Sequence, residues 1–127
     1  MLGSRLPRQI TIESTDIVLP VDMQATLAVI IAQSDTPLAA NASYETSWID
    51  VGTKSGIRYL VDTDADGTLK IQHSKNGDVV NYEDSVAITG GTPASNIVIV
   101  RGNYAKVVYE NGANAQTKFA LLVVAVP

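Results

Sequence analysis

The sequence contains no cysteine, one histidine, one tryptophan and one phenylalanine in 127 residues. Without cysteine there is no disulfide framework, no thiolate nucleophile and no Cys-based zinc site, and the redox compartment is left open. The lone histidine, His73, cannot supply the clustered ligand set of a zinc site. Positive charge is scarce as well: nine Lys and Arg against thirteen Asp and Glu leave a net charge of -4, which argues against a nucleic-acid partner. The longest wholly apolar run, Phe119 to Val126, falls far short of the ~20 residues of a membrane-spanning helix. Glu13 and Asp16 interrupt what would be the apolar part of a secretory leader, so none is expected. No cofactor, no structural metal and no membrane partner is expected from these absences.

What remains is a chain rich in Ala, Val, Ile and Thr and only 17% charged, the profile of a protein with much buried or partner-covered surface. Its length fits one domain with an extension, and such a chain buries roughly 65% of its unfolded surface, enough for a core without staples. Residues 1–40 read as an N-terminal arm with the first strands, and residues 41–127 as the body. Met1 to Gln9 has no period of its own. Leu2 and Leu6 would be its apolar anchors, and Arg5 and Arg8 its charges. Ile10 and Ile12 open a partly alternating stretch to Leu19 that reads as a strand ended by Pro20. Gln24 to Gln33 fits a short helix or a strand, and the consecutive β-branched Val29, Ile30 and Ile31 favour strand. SDTPLAANAS follows as the candidate linker.

From Tyr44 onward, short alternating runs are separated by turn residues every 8 to 12 positions, the pattern of an all-β antiparallel sandwich of jelly-roll type. Tyr44 to Val51 reads as one strand, with Trp48 on the face of Tyr44 and Thr46 and with Ile49 and Val51 opposite. Ile57, Tyr59 and Val61 alternate with Arg58, Leu60 and Asp62. Leu69, Ile71 and His73 alternate with Thr68, Lys70 and Gln72. DADG between these runs reads as the tight turn of a hairpin, Asn76-Gly77 as a type I′ hairpin turn, and Asn111-Gly112 as a second hairpin turn. Val79 to Thr89 reads as a strand, kinked near Glu83-Asp84-Ser85. Ile97 to Val100 is apolar on both faces. So is FALLVVAV, which implies cover on both sides and marks Phe119, Leu121, Leu122 and Val124 as an oligomer interface.

No catalytic constellation is present. Ser and Thr lack a base partner and a G-x-S-x-G elbow, and Glu83-Asp84 reads as a solvated pair. Asp62, Asp64 and Asp66 with Gly67 spell the front of a calcium loop. His73 stands where the bidentate Glu should be, however, and Lys70 at the water-bridging position, so turn chemistry is the stronger reading and calcium the weaker. Trp48 and Tyr44 are the surface aromatics that a sugar-stacking platform would use, set against the usual burial of large aromatics in small β domains.

The order of motifs SWIDVG, DADGTLKIQHSKNGDVV and YAKVVYENGANAQTKFAL resembles a β-sandwich module of tailed-bacteriophage virion proteins. The residues that carry it are Trp48-Ile49-Asp50-Val51, Asp64 to Leu69, Ser74 to Gly77, Tyr104, Asn111-Gly112 and Ala115 to Phe119. The likeness covers Tyr44 to the end and leaves out the first 40 residues. Apolar Ala120-Leu121-Leu122 departs from the polar residues expected after Phe119. The resemblance implies a non-enzymatic structural role in a virion, commonly as a homotrimer, with the major capsid protein or other virion proteins as partners. A capsid decoration or cement protein attached through its arm is the first expectation. A tail, baseplate or fibre component is the alternative, and a carbohydrate-binding module the third.

Overall fold

The computed structural model describes residues 27–127, and among these lie nine strands and no helix. They are β1 (Val29–Ser34), β2 (Ser43–Glu45), β3 (Ile49–Asp50), β4 (Gly56–Thr63), β5 (Gly67–Ser74), β6 (Tyr82–Ile88), β7 (Ala94–Ile99), β8 (Tyr104–Asn111) and β9 (Phe119–Val126). One sheet has the order β1-β9-β4-β7. In the other, β2 and β3 both pair with β8, and β5 and β6 follow. Every pairing is antiparallel. The chain is thus the all-β antiparallel sandwich that its alternation predicts, and successive strands mostly change sheet, as in a jelly roll.

The β-branched run at Val29 forms a strand. It lies on the arm side of the boundary expected after residue 40, yet it is hydrogen-bonded to β9 as an edge of the first sheet, with Ile31 and Ala32 in the core. SDTPLAANAS is the crossover from that sheet to the other. It is pinned by Asn41 N–H to the Gly112 carbonyl (2.8 Å) and by Asn111 Nδ2 to the carbonyls of Leu38 and Ala39. The strand expected at Ile10 to Leu19 and the rest of the arm lie outside the described residues.

Alternation places the core. Ile57, Tyr59 and Val61 of β4, Leu69 and Ile71 of β5, Ala105, Val107 and Tyr109 of β8, and Phe119, Leu121, Val123 and Ala125 of β9 all face inward and are buried. Burying this many aliphatic groups, at roughly 1.5–3 kcal/mol for each large side chain, is what holds two short-stranded sheets together.

Three turn readings are corrected. DADG does not close a hairpin, because β4 belongs to the first sheet and β5 to the second; it is an arch between sheets. Asn111-Gly112 likewise begins an arch from β8 to β9, and neither residue has a positive φ. Asn76-Gly77 does sit in a hairpin, between β5 and β6, but in a longer loop in which only Gly77 is left-handed (φ 76°). Ser74 Oγ accepts the N–H groups of Asn76 and Gly77, and Asn76 Oδ1 accepts that of Asp78, so side chains organise that turn. β6 starts at Tyr82 rather than Val79 and pairs with β5 without a register shift, so it has no kink at Glu83.

The expected strand Tyr44 to Val51 is two strands. Glu45 faces Val108 and Ile49 faces Ala105, so one extra residue is looped out at residues 46–48, a β-bulge. Thr46 bridges the interruption: its N–H donates to the Val107 carbonyl and its Oγ1 accepts the Val107 N–H, both at 3.0 Å. The extra residue reverses the parity of β3 relative to β2. Tyr44 and Ile49, expected on opposite faces, both pack against the core.

Candidate interaction surface

The two outer faces of the sandwich differ in kind. On the β2/β3-β8-β5-β6 sheet, the outward register positions are Thr68, Lys70 and Gln72, flanked by Glu83, Ser85 and Ala87 on one side and Lys106, Val108 and Glu110 on the other. They are joined by Lys70–Glu110 (3.1 Å), Gln72–Glu83 (2.9 Å) and Lys106–Glu45 (2.8 Å). This is a solvated, charge-laced surface, with each pair contributing ~0–1 kcal/mol.

The outer face of the β1-β9-β4-β7 sheet is apolar. One row across it is Ile30, Val124, Arg58 and Ile97, the next is Gln33, Leu122, Leu60 and Ser95, and beyond Arg58 lie Val126, Gly56 and Ile99. Ile30 is 56% exposed, Leu60 42%, Ile97 56% and Ile99 64%, values that leave large aliphatic groups in water on one contiguous face. The Ile97 side chain lies over Gly56, where a Cβ would come within 2.8 Å of its terminal methyl. A hollow of about 190 Å³ opens beside Leu60, lined by Arg58, Tyr59, Leu60, Ser95 and Leu122. The Arg58 guanidinium stands in this apolar field with no ion-pair partner among the described residues. A sheet face this apolar, rimmed by charge, is the signature of a surface that associates.

Of the four residues assigned to an oligomer interface, Phe119 (4% exposed) and Leu121 (2%) point into this chain's own core, and Val124 (5%) is covered by its neighbours, so Leu122 alone stands partly open on the apolar face. Sequence reading missed Arg58, Leu60, Ile97, Ile99 and Ile30. The signal was available: the runs that fail to alternate, VII, IVIV and FALLVVAV, form three of the four strands of this sheet.

The three aspartates of the calcium motif hold the arches at one end of the sandwich. Asp62 pairs with Lys118 Nζ (3.0 Å). Asp64 accepts the Thr117 hydroxyl, the Thr117 N–H (3.0 Å) and the Lys118 N–H (3.2 Å). Asp66 Oδ1 accepts the Gly90 N–H at 2.8 Å. Their carboxylates serve different donors, and no cluster of three or more metal-ligating side chains occurs among the described residues. The Thr117 hydroxyl and the backbone donors hold the Asp64 carboxyl below its ordinary value. Burial pushes the Tyr109 phenol up to about 12, with Asp66 adding to the effect. Burial also raises that of Tyr59, at the hollow.

His73 is 1% exposed and structural: Nδ1 accepts the Arg101 N–H (3.2 Å), which leaves Nε2 to donate to Asp84 (2.8 Å). Trp48 lies half-buried beside the bulge with Lys106 Nζ 5.1 Å from its ring centroid. Tyr44 points its hydroxyl across to β1, donating to the Gln33 carbonyl at 3.1 Å. Both aromatics are half-buried. The arm residues Leu2, Arg5, Leu6, Arg8, Ile10 and Ile12 lie outside the described residues. Among the described residues, no helix is long and apolar enough to cross a membrane.

Among solved structures, the PBSX exported protein XepA resembles the chain with a TM-score of 0.67 and 26% identity over 87% of this chain. This chain spans only 40% of that protein's length. A chain from the disulfide-linked pili of Bacillus endospore appendages gives a TM-score of 0.52 at 15% identity, covering 79% of this chain and 86% of that one. That second likeness is one of fold, and this cysteine-free chain cannot share the disulfide linkage. No curated protein matches the sequence. Residues 21–126 match the family model described as the uncharacterised protein YqxG N-terminal domain, and the chain belongs to that family.

Proposed function

We propose that this chain is a non-enzymatic structural module of a phage-related assembly, working by association through the outer face of the β1-β9-β4-β7 sheet. The observation that carries the reading is the contrast between the two outer faces, one laced with ion pairs and the other exposing Ile30, Leu60, Ile97 and Ile99. The likeness to a PBSX exported protein supports the phage connection. Within that class, a capsid decoration or cement role is the primary reading, with the major capsid protein as partner and residues 1–19 as an attachment arm. A tail, baseplate or fibre component is the second, and likeness to an exported protein favours a site outside the shell lattice.

Counting copies of this polypeptide against the major shell protein in purified particles tests the proposal. Hundreds of copies support decoration, and a few to some dozens support neck, tail or baseplate. Absence from particles and from the extracellular fluid alike would contradict the reading. The same count on particles made with a chain lacking Met1 to Leu19 tests the arm: attachment is lost if the arm carries it, and unchanged attachment sinks that role.

A further inference from the structure

The apolar face carries both halves of a contact with itself. Leu60 stands out of the sheet at its centre, and the hollow lined by Arg58, Leu60, Ser95 and Leu122 opens beside it. An isologous, two-fold interface requires a face complementary to itself, and opposite charges flanking an apolar centre meet that requirement. Two strand positions to one side of Leu60 is Arg58, which has no ion-pair partner among the described residues, and two positions to the other is Asp62, on the same outer face of β4 and held at its edge by Lys118 Nζ (3.0 Å).

Charge decides which two-fold axis is allowed. Sheets that pack face to face keep their strands roughly aligned. An axis running along the strands gives Arg58 no carboxylate partner in the facing copy. An axis across the strands through Leu60 places Arg58 of each copy over Asp62 of the other. It also brings Leu60 and Leu122 onto their own counterparts, and it sets bulky Val124, level with Arg58, over small Ala120, level with Asp62. We infer that a second copy of this chain covers the outer face of the β1-β9-β4-β7 sheet in this antiparallel two-fold arrangement, with Leu60 at the axis and reciprocal Arg58–Asp62 pairs on either side.

The contact is small. Four strands at ~4.8 Å spacing and ~3.3 Å per residue make a face roughly 15–20 Å by 20–25 Å. That is roughly half of the ~800 Å² per partner typical of a stable complex. The isolated chain therefore dimerises weakly and reversibly, and the pair fills at the high local concentration of an assembly. The inference rests on the reading of this face as the interaction surface and adds the occupant.

Sedimentation velocity of the full chain, run up to its solubility limit, tests it with Arg58→Asp, Asp62→Arg and the combined variant. Each single change places like charges opposite each other twice per dimer and weakens dimerisation roughly tenfold or more. Mixing the two single variants restores association, and so does the combined variant. Asp62→Asn serves where the larger change disturbs the Lys118 pair, and Glu83→Lys on the polar sheet leaves association unchanged. A chain that stays monomeric at every concentration overturns the inference, as does a trimer indifferent to these changes or a failure of mixing to restore dimers. If Ile97→Asp still abolishes incorporation into particles in that case, the face remains an interaction surface with a different occupant. If Ile97→Asp is incorporated normally, the reading of the face fails as well.

Discussion

Asp64 sits on the surface, and what it holds is backbone. Its carboxylate gathers the Thr117 hydroxyl and the N–H groups of Thr117 and Lys118, so the β4–β5 arch is tied to the β8–β9 arch through one side chain. These bonds favour the ionised form and depress the folded-state pKa below the ordinary 3.8. The stabilisation is therefore complete above the unfolded-state value and is lost as pH falls through the lower folded-state value. Asp64→Ala is expected to lower the melting temperature by a few degrees at neutral pH and to flatten the acid fall in stability below about pH 4, which thermal melts across pH would show. Tyr109 makes the opposite case. Its phenol is fully buried, has no hydrogen-bond partner among the described residues and ionises only at about 12 when folded, whereas the unfolded chain ionises at 10. Stability therefore declines between those two values, and Tyr109→Phe should remove the decline while leaving stability at pH 7 unchanged or slightly improved. A steeper alkaline loss in the variant would refute this.

At the scale of the element, the bulge after β2 decides more than its length suggests. One extra residue between Glu45 and Ile49 returns both Tyr44 and Ile49 to the core and leaves Trp48 beside Lys106. Thr46 substitutes its hydroxyl for a ladder carbonyl, so Thr46→Val leaves the Val107 N–H unpaired and should cost about 1–2 kcal/mol in denaturant unfolding. An unchanged midpoint would show that the bulge closes without it. Such a register device is invisible to alternation, which assigns parity by counting. The inward faces of β4 and β5 were legible because each alternates between a buried and a wetter side. The turns were legible as turns and not as connections: DADG and Asn111-Gly112 have hairpin residues, but which strand a chain meets after a turn is set by long-range pairing. Non-alternating runs at Ile97 and Phe119 signalled cover on both faces without revealing that they share a sheet with the strand at Val29, nor that Arg58 would stand among them.

The whole molecule is a sandwich whose two sides have been built for different surroundings. The polar side meets water through Lys70, Glu110, Gln72 and Glu83. The other side leaves Ile30, Leu60, Ile97 and Ile99 exposed on a rigid sheet whose inner residues already fill the core. No titratable cluster with a cleft around it competes for a functional role among the described residues, and the aspartate turn is spent on joining arches. We therefore propose the apolar face as the working surface, and the phage-related structural neighbour supports a module that works by assembly.

Hydroxyl-radical footprinting of the chain, dilute in solution and within its native particle or exported assembly, tests that placement most directly. The account predicts strong protection of Leu60, Ile97 and Ile99 on assembly, with Tyr82 and Val79 beside the polar sheet oxidised equally in both states. Equal oxidation of Leu60, Ile97 and Ile99 in both states, with protection falling instead on the polar sheet, would contradict it.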